Sequence, residues 1–446
     1  MQKTTLAFAV AVGVFSQQIA AAGLIEDSKA TLKLRNFYIN TDNRDEGTPA
    51  QKASAQSYQA EWGQGFQLDF ASGFSQGPVG FGVDAIGLLG IKLDSSTGKH
   101  GNPQGANYGG TVFLSDGDHA VDEYSSLGLT AKARFSQTEL RYGTLMPKLP
   151  VIAYNDGRLL PQTFEGGQVT SNEIKDLTLV GGQIEHVKGR NSTNEEGMSI
   201  SGANNSRTGH FSNKFYYGGG DYKLGKDLLL QYYYGNLEDF YKQHFLGLVH
   251  NWSIGPGVLK TDLRYFNSSD DGANGFDPRY FTTGYYGGTT TKGKVDNDLY
   301  SGLLLYSVAG HTFGGGYQVS NGDSDFPWLN QGDGSSNYTI TDSQIQKFGR
   351  AGERTWVARY GYDLAKVGLP GATFGLNYLK GQDIDTPATS SASEWERDLT
   401  LAYVVQSGAL KGFGVMWKNA MWRNNIPGVR QQDENRLVLS YALPLF

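Results

Sequence analysis

The chain is organised by alternation. In Lys29-Ala30-Thr31-Leu32-Lys33-Leu34-Arg35 the cations and Thr31 fall on one side, and Ala30, Leu32 and Leu34 on the other. Successive side chains of a strand point to opposite faces, so this spacing predicts a strand with one polar face. The same period of two recurs along the chain. Thr130, Lys132, Arg134 and Ser136 oppose Ala131, Ala133 and Phe135; Lys260, Asp262 and Arg264 oppose Leu259, Thr261, Leu263 and Tyr265; Thr355, Val357 and Arg359 oppose Trp356, Ala358 and Tyr360. Each segment is about ten residues long, the length a tilted strand needs to cross a bilayer. In a soluble sandwich the apolar faces would meet in a core. In a membrane barrel they would meet lipid, and the polar faces would line a lumen. Periodicity alone leaves both open.

The links between segments separate the two. Strand-like segments fall at 29–39, 62–72, 79–94, 125–135, 138–145, 176–187, 197–203, 213–223, 227–238, 242–252, 258–267, 296–307, 311–320, 353–365, 371–381, 394–405, 411–423 and 433–446, eighteen in all. Short links such as Ser136-Gln137 and Val308-Ala309-Gly310 alternate with long ones at 40–61, 95–124, 146–175, 268–295 and 321–352. Barrels with short periplasmic turns and longer outer loops show this asymmetry, and an even strand number puts both termini on one side. Two links resist the scheme: 188–196 is long for the short side, and 239–241 is short for the long side. The last segment places Leu437, Leu439, Tyr441 and Leu443 on one face and ends at Phe446, the form of a barrel sorting signal. Strict alternation would turn Phe446 inward unless Pro444 disturbs the end. The expected fold is all-β: a transmembrane antiparallel barrel of about eighteen strands.

Composition narrows the function. The 446 residues include no Cys, which removes disulfides, thiolate metal sites and cysteine nucleophiles. A net charge of −6 argues against nucleic acid. Lys3, the apolar run 6–15 and Ala20-Ala21-Ala22 read as a secretory signal with cleavage before Gly23, because that run is too short to span a bilayer. Residues 1–22 are thus expected to be a signal peptide and 23–446 one outer-membrane barrel domain. The sequence has no G-x-S-x-G elbow, P-loop or H-E-x-x-H, its seven His are scattered, and no cofactor is implied. Asp270-Asp271-Gly272 and Asp323-Ser324-Asp325 are candidates for a structural calcium, without the spacing of an EF-hand.

What remains is a basic inner face. Lys33, Arg35, Lys132, Arg134, Arg141, Arg264, Arg359, Lys418 and Arg436 all fall on lumen-facing parity, against an acidic whole-chain balance. In a narrow pore, low-dielectric walls weaken screening, so a row of cations draws in small organic anions. Arginine suits carboxylates because its planar fork donates two parallel hydrogen bonds. The opposing reading pairs these cations with luminal carboxylates such as Asp262, Asp398 and Glu139, leaving the wall balanced. The stretch Tyr154–Gln168 lies in the third long link and carries the turn-forming Asn155-Asp156-Gly157, then Arg158. Outside the barrel it would be an ordinary loop. Folded into a pore, Arg158 would act as a selectivity residue, with Tyr154 and Asp156 shaping the constriction.

Five further segments carry a resemblance: Leu24-Ile25-Glu26-Asp27-Ser28 with Leu34-Arg35-Asn36-Phe37-Tyr38, Gly77-Pro78-Val79-Gly80-Phe81-Gly82-Val83-Asp84-Ala85, Asn155 to Thr163, Gly352-Glu353-Arg354-Thr355-Trp356, and Gln432-Asp433-Glu434-Asn435-Arg436-Leu437. With these the chain resembles the OprD family of outer-membrane porins, the carboxylate-selective channels of pseudomonads, and within it the branch typified by benzoate and vanillate uptake. The resemblance implies eighteen strands, a monomer to weak homotrimer, and a third outer loop (146–175) folded inward with help from the seventh (321–352). It also places Arg158 at the constriction. The penultimate strand often carries two inward arginines in this family; here those positions look like Met416 and Lys418, which offers a point charge in place of a fork. The expected function is passive uptake of small carboxylates, aromatic acids such as benzoate, by a protein that is not an enzyme. Outer-membrane lipid and the barrel-assembly machinery are the expected partners. The alternative is an outer-membrane barrel with serine-type hydrolase or peptidase activity.

Overall fold

In lipid every backbone polar group must be satisfied within the protein, so strands can span only as a closed sheet. A computed structural model shows that closure. It describes residues 23–44, 57–95, 98–100, 111–117, 119–200, 211–272, 295–330, 336–386 and 388–446; the expected signal peptide, 1–22, lies outside them. Eighteen antiparallel strands form one sheet. They are β1 (Lys29–Asn43), β2 (Tyr58–Ala71), β3 (Val79–Asp94), β4 (Glu123–Phe135), β5 (Thr138–Leu145), β6 (Thr163–Ile174), β7 (Leu177–Lys188), β8 (Phe215–Leu224), β9 (Leu228–Leu237), β10 (Tyr241–Ile254), β11 (Gly257–Asp270), β12 (Asp296–Val308), β13 (His311–Asn321), β14 (Arg354–Asp363), β15 (Ala372–Thr386), β16 (Thr389–Val404), β17 (Gly414–Asn424) and β18 (Gln432–Pro444). Each pairs with its neighbours in sequence. The seam closes β1 on β18, from Thr31 opposite Pro444 to Asn43 opposite Gln432.

The count agrees with the sequence pattern, but one strand does not. The described part of the expected strand 197–203, residues 197–200, is no part of the wall: Ser199–Ile200 forms a two-residue pairing with Leu329–Asn330, joining the fourth outer loop to the seventh, and 201–203 lie outside the described residues. The wall strand in its place is β6, inside the stretch expected to be loop. The third outer loop is therefore 146–162, and the link at 188–196 becomes the start of a long fourth outer loop, 189–214. This removes one of the two anomalies. The other is real: β9 and β10 join through three residues, with Asp239 at φ 68°.

Outward parity behaves as expected. Leu127, Leu129, Phe81 and Trp356 are 58–71% exposed and face the lipid side. Inside, the picture is richer than charge and glycine. Along β8 to β11 the inner face carries Phe215, Tyr233, Phe245 and Phe266, all buried, and they pack with Val151 and Ile152 of the third loop, Met198 and Ile200 of the fourth, and Phe326 of the seventh. Loops thus share an apolar core with that side of the lumen wall. At the chain end, β18 stops at Pro444. Phe446 lies beyond the alternation and is exposed, its carbonyl accepting from the Ala30 N–H.

Candidate functional site

The third loop turns inward because β2 leaves it a seat. Gly63 and Gly65 are on the inner face of β2, and a Cβ on Gly65 would stand 3.0 Å from both the Leu159 Cδ1 and the Leu159 carbonyl oxygen. Leu159 and Leu160 occupy that space and are buried. The loop is then closed by its own polar groups. The Gln162 N–H donates to the Asn155 carbonyl (2.8 Å), and the Asn155 N–H donates to Gln162 Oε1 (3.1 Å). Asn155 Oδ1 accepts from the Gly157 N–H at 3.0 Å, an Asx turn.

Two wall arginines hold this turn. Arg35 of β1 grips the Asp156 carboxylate with both terminal nitrogens, at 2.6 and 3.1 Å, and donates to the Arg158 carbonyl at 2.7 Å. Arg436 of β18 donates to the Gly157 carbonyl at 3.2 Å. Arg436 is level with Ile39, four residues along β1 from Arg35, roughly 13 Å at the rise of a strand. The two long side chains therefore converge on residues 156–158 from different heights.

Arg436 also reaches the seventh loop, donating to the Gln344 carbonyl at 3.0 Å, while its Nε pairs with Glu434 at 2.6 Å. The rest of that loop is docked in the same currency. Arg264 of β11 donates to the Tyr338 carbonyl (2.9 Å), and Arg359 of β14 donates to the Ile340 carbonyl (2.5 Å). Wall carboxylates take the amides: Glu396 accepts from the Ile345 and Gln346 N–H groups (2.8 Å each) and Asp398 from the Gln344 N–H (3.3 Å). At the loop base Asp325 is buried and accepts from the Ala351 N–H. Burial pushes its carboxyl up to about 7, against the pull of Arg350. Burial also raises Glu353 well above the usual carboxylate range, with the charge of Glu394 adding to it.

Most cations expected in the lumen have partners. Lys33 pairs with Asp69 (2.6 Å), Lys132 with Asp84 (2.6 Å), Arg141 with Glu139 (2.5 Å) and Arg264 with Asp262 (2.8 Å). Arg134 stacks on the Phe74 ring at 4.1 Å. Lys418 lies opposite Arg436 in the register and has no hydrogen bond or ion pair among the described residues. In the third loop, Arg158 and Tyr154 are half-buried, and Lys148 Nζ lies 4.9 Å from the Tyr154 ring centre.

Sequence reasoning missed one buried relay. His100 Nε2 is 2.7 Å from Ser115 Oγ, and its Nδ1 is 2.8 Å from Glu61 Oε1. The spacing is that of a nucleophile, base and carboxylate. Its other contacts point to fastening: Ser95 Oγ donates to the same Glu61 oxygen, and the Val112 N–H donates to the second one at 2.6 Å. The relay ties parts of the second outer loop to β2. At the expected calcium positions, Asp271 pairs with Lys242 and accepts from Asn236, and no cluster of three or more metal-ligating side chains occurs among the described residues.

The barrel and its inward loops match a family model described as "outer membrane porin, OprD family" over residues 22–445. The chain belongs to the OprD family. Among curated relatives, the porin-like protein GalP of Pseudomonas putida is 35% identical over 429 residues, covering 96% of this chain and 95% of GalP. Porin D of Pseudomonas aeruginosa is 33% identical over 459 residues, covering 98% and 96%. Among solved structures, Pseudomonas aeruginosa OccK8 (OprE) superposes with a TM-score of 0.84 at 59% identity over 95% of this chain and 100% of that one. Pseudomonas aeruginosa OpdK, solved with vanillate, gives 0.80 at 34% identity, with the same coverage. This OprD-family chain is thus a porin of the bacterial outer membrane. The two curated relatives are porins by name.

Proposed function

We propose that this porin is a selective channel for small carboxylates, with aromatic monocarboxylates such as benzoate as the preferred class. The observation that carries the reading is the convergence of Arg35 and Arg436 on the inward turn at residues 156–158, beside the unpaired Lys418. The turn keeps Arg158 in the constriction, where Arg158 meets the carboxylate and Tyr154 and Asp156 shape the gap. Lys418 and Arg436 draw the anion toward it, and Lys33, Lys132, Arg134 and Arg141 continue the basic path toward the periplasmic ends of their strands. The ion pairs of Lys33, Lys132 and Arg141 temper their charges, which suits a channel, since a conducting path must release what it attracts. The ligand in the OpdK structure supports the aromatic class. Export through the segment 1–22, insertion by the barrel-assembly machinery and a weak homotrimer complete the proposal.

Arg158→Ala should lower the anion-to-cation permeability ratio by about twofold or more in planar bilayers, because one fixed charge is removed from a poorly screened gap. An unchanged reversal potential would remove Arg158 from this role. In liposomes, uptake of benzoate should exceed that of benzyl alcohol, its neutral analogue; equal uptake would overturn the carboxylate reading.

A further inference from the structure

The third loop is held from a third direction, by a residue outside the basic wall. Arg190 follows β7, at the start of the fourth outer loop, and is 5% exposed. Its Nη1 donates to Asn155 Oδ1 at 2.9 Å. That oxygen also caps the Gly157 N–H, so one acceptor joins the fourth loop to the turn that precedes Arg158. Arg190 is itself fixed. The Tyr124 hydroxyl lies 3.2 Å from its carbonyl and 3.1 Å from that of Val112, within reach of the fourth and second loops together. Tyr124 fits because its β3 neighbour is Gly90, where a Cβ would stand 2.6 Å from the ring. Phe113 meets the same ring edge-on, with centroids 5.9 Å apart.

Gly157 occupies the gap between two guanidinium groups. A Cβ built there would lie 3.4 Å from Arg190 Nη1 and 3.7 Å from Arg436 Nη1. A buried guanidinium keeps its charge, and a hydrogen bond to a charged donor is stronger and more directional than a neutral one. The Nη1 contact thus favours one position of Asn155. Arg436 grips the same turn through its backbone.

We infer that Arg190 is a positioning residue for the constriction: acting through Asn155, it sets where the 155–158 turn stands in the lumen, and so sets aperture and charge selectivity. The inference needs the inward loop and not the carboxylate reading, so simple salts can test it. Refolded Arg190→Ala should show a single-channel conductance in potassium chloride changed by about twofold, with a lower anion preference, because a pore reads the geometry of its narrowest ring. Asn155→Ala keeps the Arg190 charge and removes the Asn155 Oδ1 acceptor, and should shift both quantities in the same direction. The double variant should do no more than either single one, as expected of two residues that act as one unit. Arg190→Lys, which keeps the charge and one donor, should recover part of the wild-type reversal potential.

Conductance and reversal potential unchanged in folded Arg190→Ala would overturn the inference, even if its thermal stability fell. Additive effects in the double variant would overturn it too, since Arg190 would then act without Asn155. Should Arg190→Ala yield no folded barrel, Asn155→Ala and Arg190→Lys decide by the same two readouts. A benzoate preference absent from the wild-type protein would count against the carboxylate proposal and leave this inference standing.

Discussion

At Arg436 one guanidinium serves Glu434 on its own strand, Gly157 in the third loop and Gln344 in the seventh. Parity alone places Arg436 in the lumen. Its bridging role was not legible, because the two carbonyls are 279 and 92 residues away and backbone acceptors leave no mark in a sequence. Arg436→Ala should destabilise the barrel by about 3–5 kcal/mol, since it leaves a largely buried carboxylate without its cation. Chemical denaturation in lipid vesicles measures this. Arg436→Lys should restore the pairing but not the bridge, because an ammonium lacks the fork, so single-channel traces should show more current noise than the wild type. The seat under Leu159 makes a separate prediction. Gly65→Val should cost about 1–3 kcal/mol by overpacking and change single-channel conductance as Leu159 is pushed off its seat on the wall.

At the level of elements, β6 was hidden by its composition. Gly166-Gly167 and Thr170-Ser171-Asn172-Glu173 carry no apolar alternation, so the strand lies within the link expected at 146–175. The glycine is needed in the strand: a Cβ on Gly166 would lie 2.1 Å from the Gln183 carbonyl oxygen of β7, beside a register shift. Residues 197–200 alternate and still stay out of the wall, because Ser199 and Ile200 pair with the seventh loop. Period and turn chemistry report local preference, and the choice of partner strand is made elsewhere. The seventh loop carries a pH dependence of definite sign. Asp325 titrates near 7 when buried, against an ordinary 3.8, so the docked loop holds a proton that the released loop gives up. Docking is therefore strongest below the ordinary carboxylate range and weakens as pH rises through about 7. Hydrogen exchange at the Ala351 amide should be better protected at about pH 5 than at about pH 8 once intrinsic rates are removed, and Asp325→Asn should reduce the difference, leaving the part that Glu353 contributes. Equal protection at both would refute the assignment.

For the whole molecule, the outward face was the legible part. Strict alternation exposes Leu127 and Leu129 to lipid, and Leu129→Arg should cost about 2–4 kcal/mol near the bilayer midplane, as read from unfolding in vesicles. The interior was legible only as a set of cations on one parity. Phe215, Phe245 and Phe266 share that parity, and only the inward loops explain why aromatic residues stand where water was expected. Closure of the sheet has a consequence in time. Arg35 stands on the first strand and Arg436 on the last, yet both grasp the same turn in the middle of the chain. Those strands become neighbours only when the seam shuts. The narrowing is thus completed after the wall, and a barrel paused with its seam ajar is the leakiest species on the folding route.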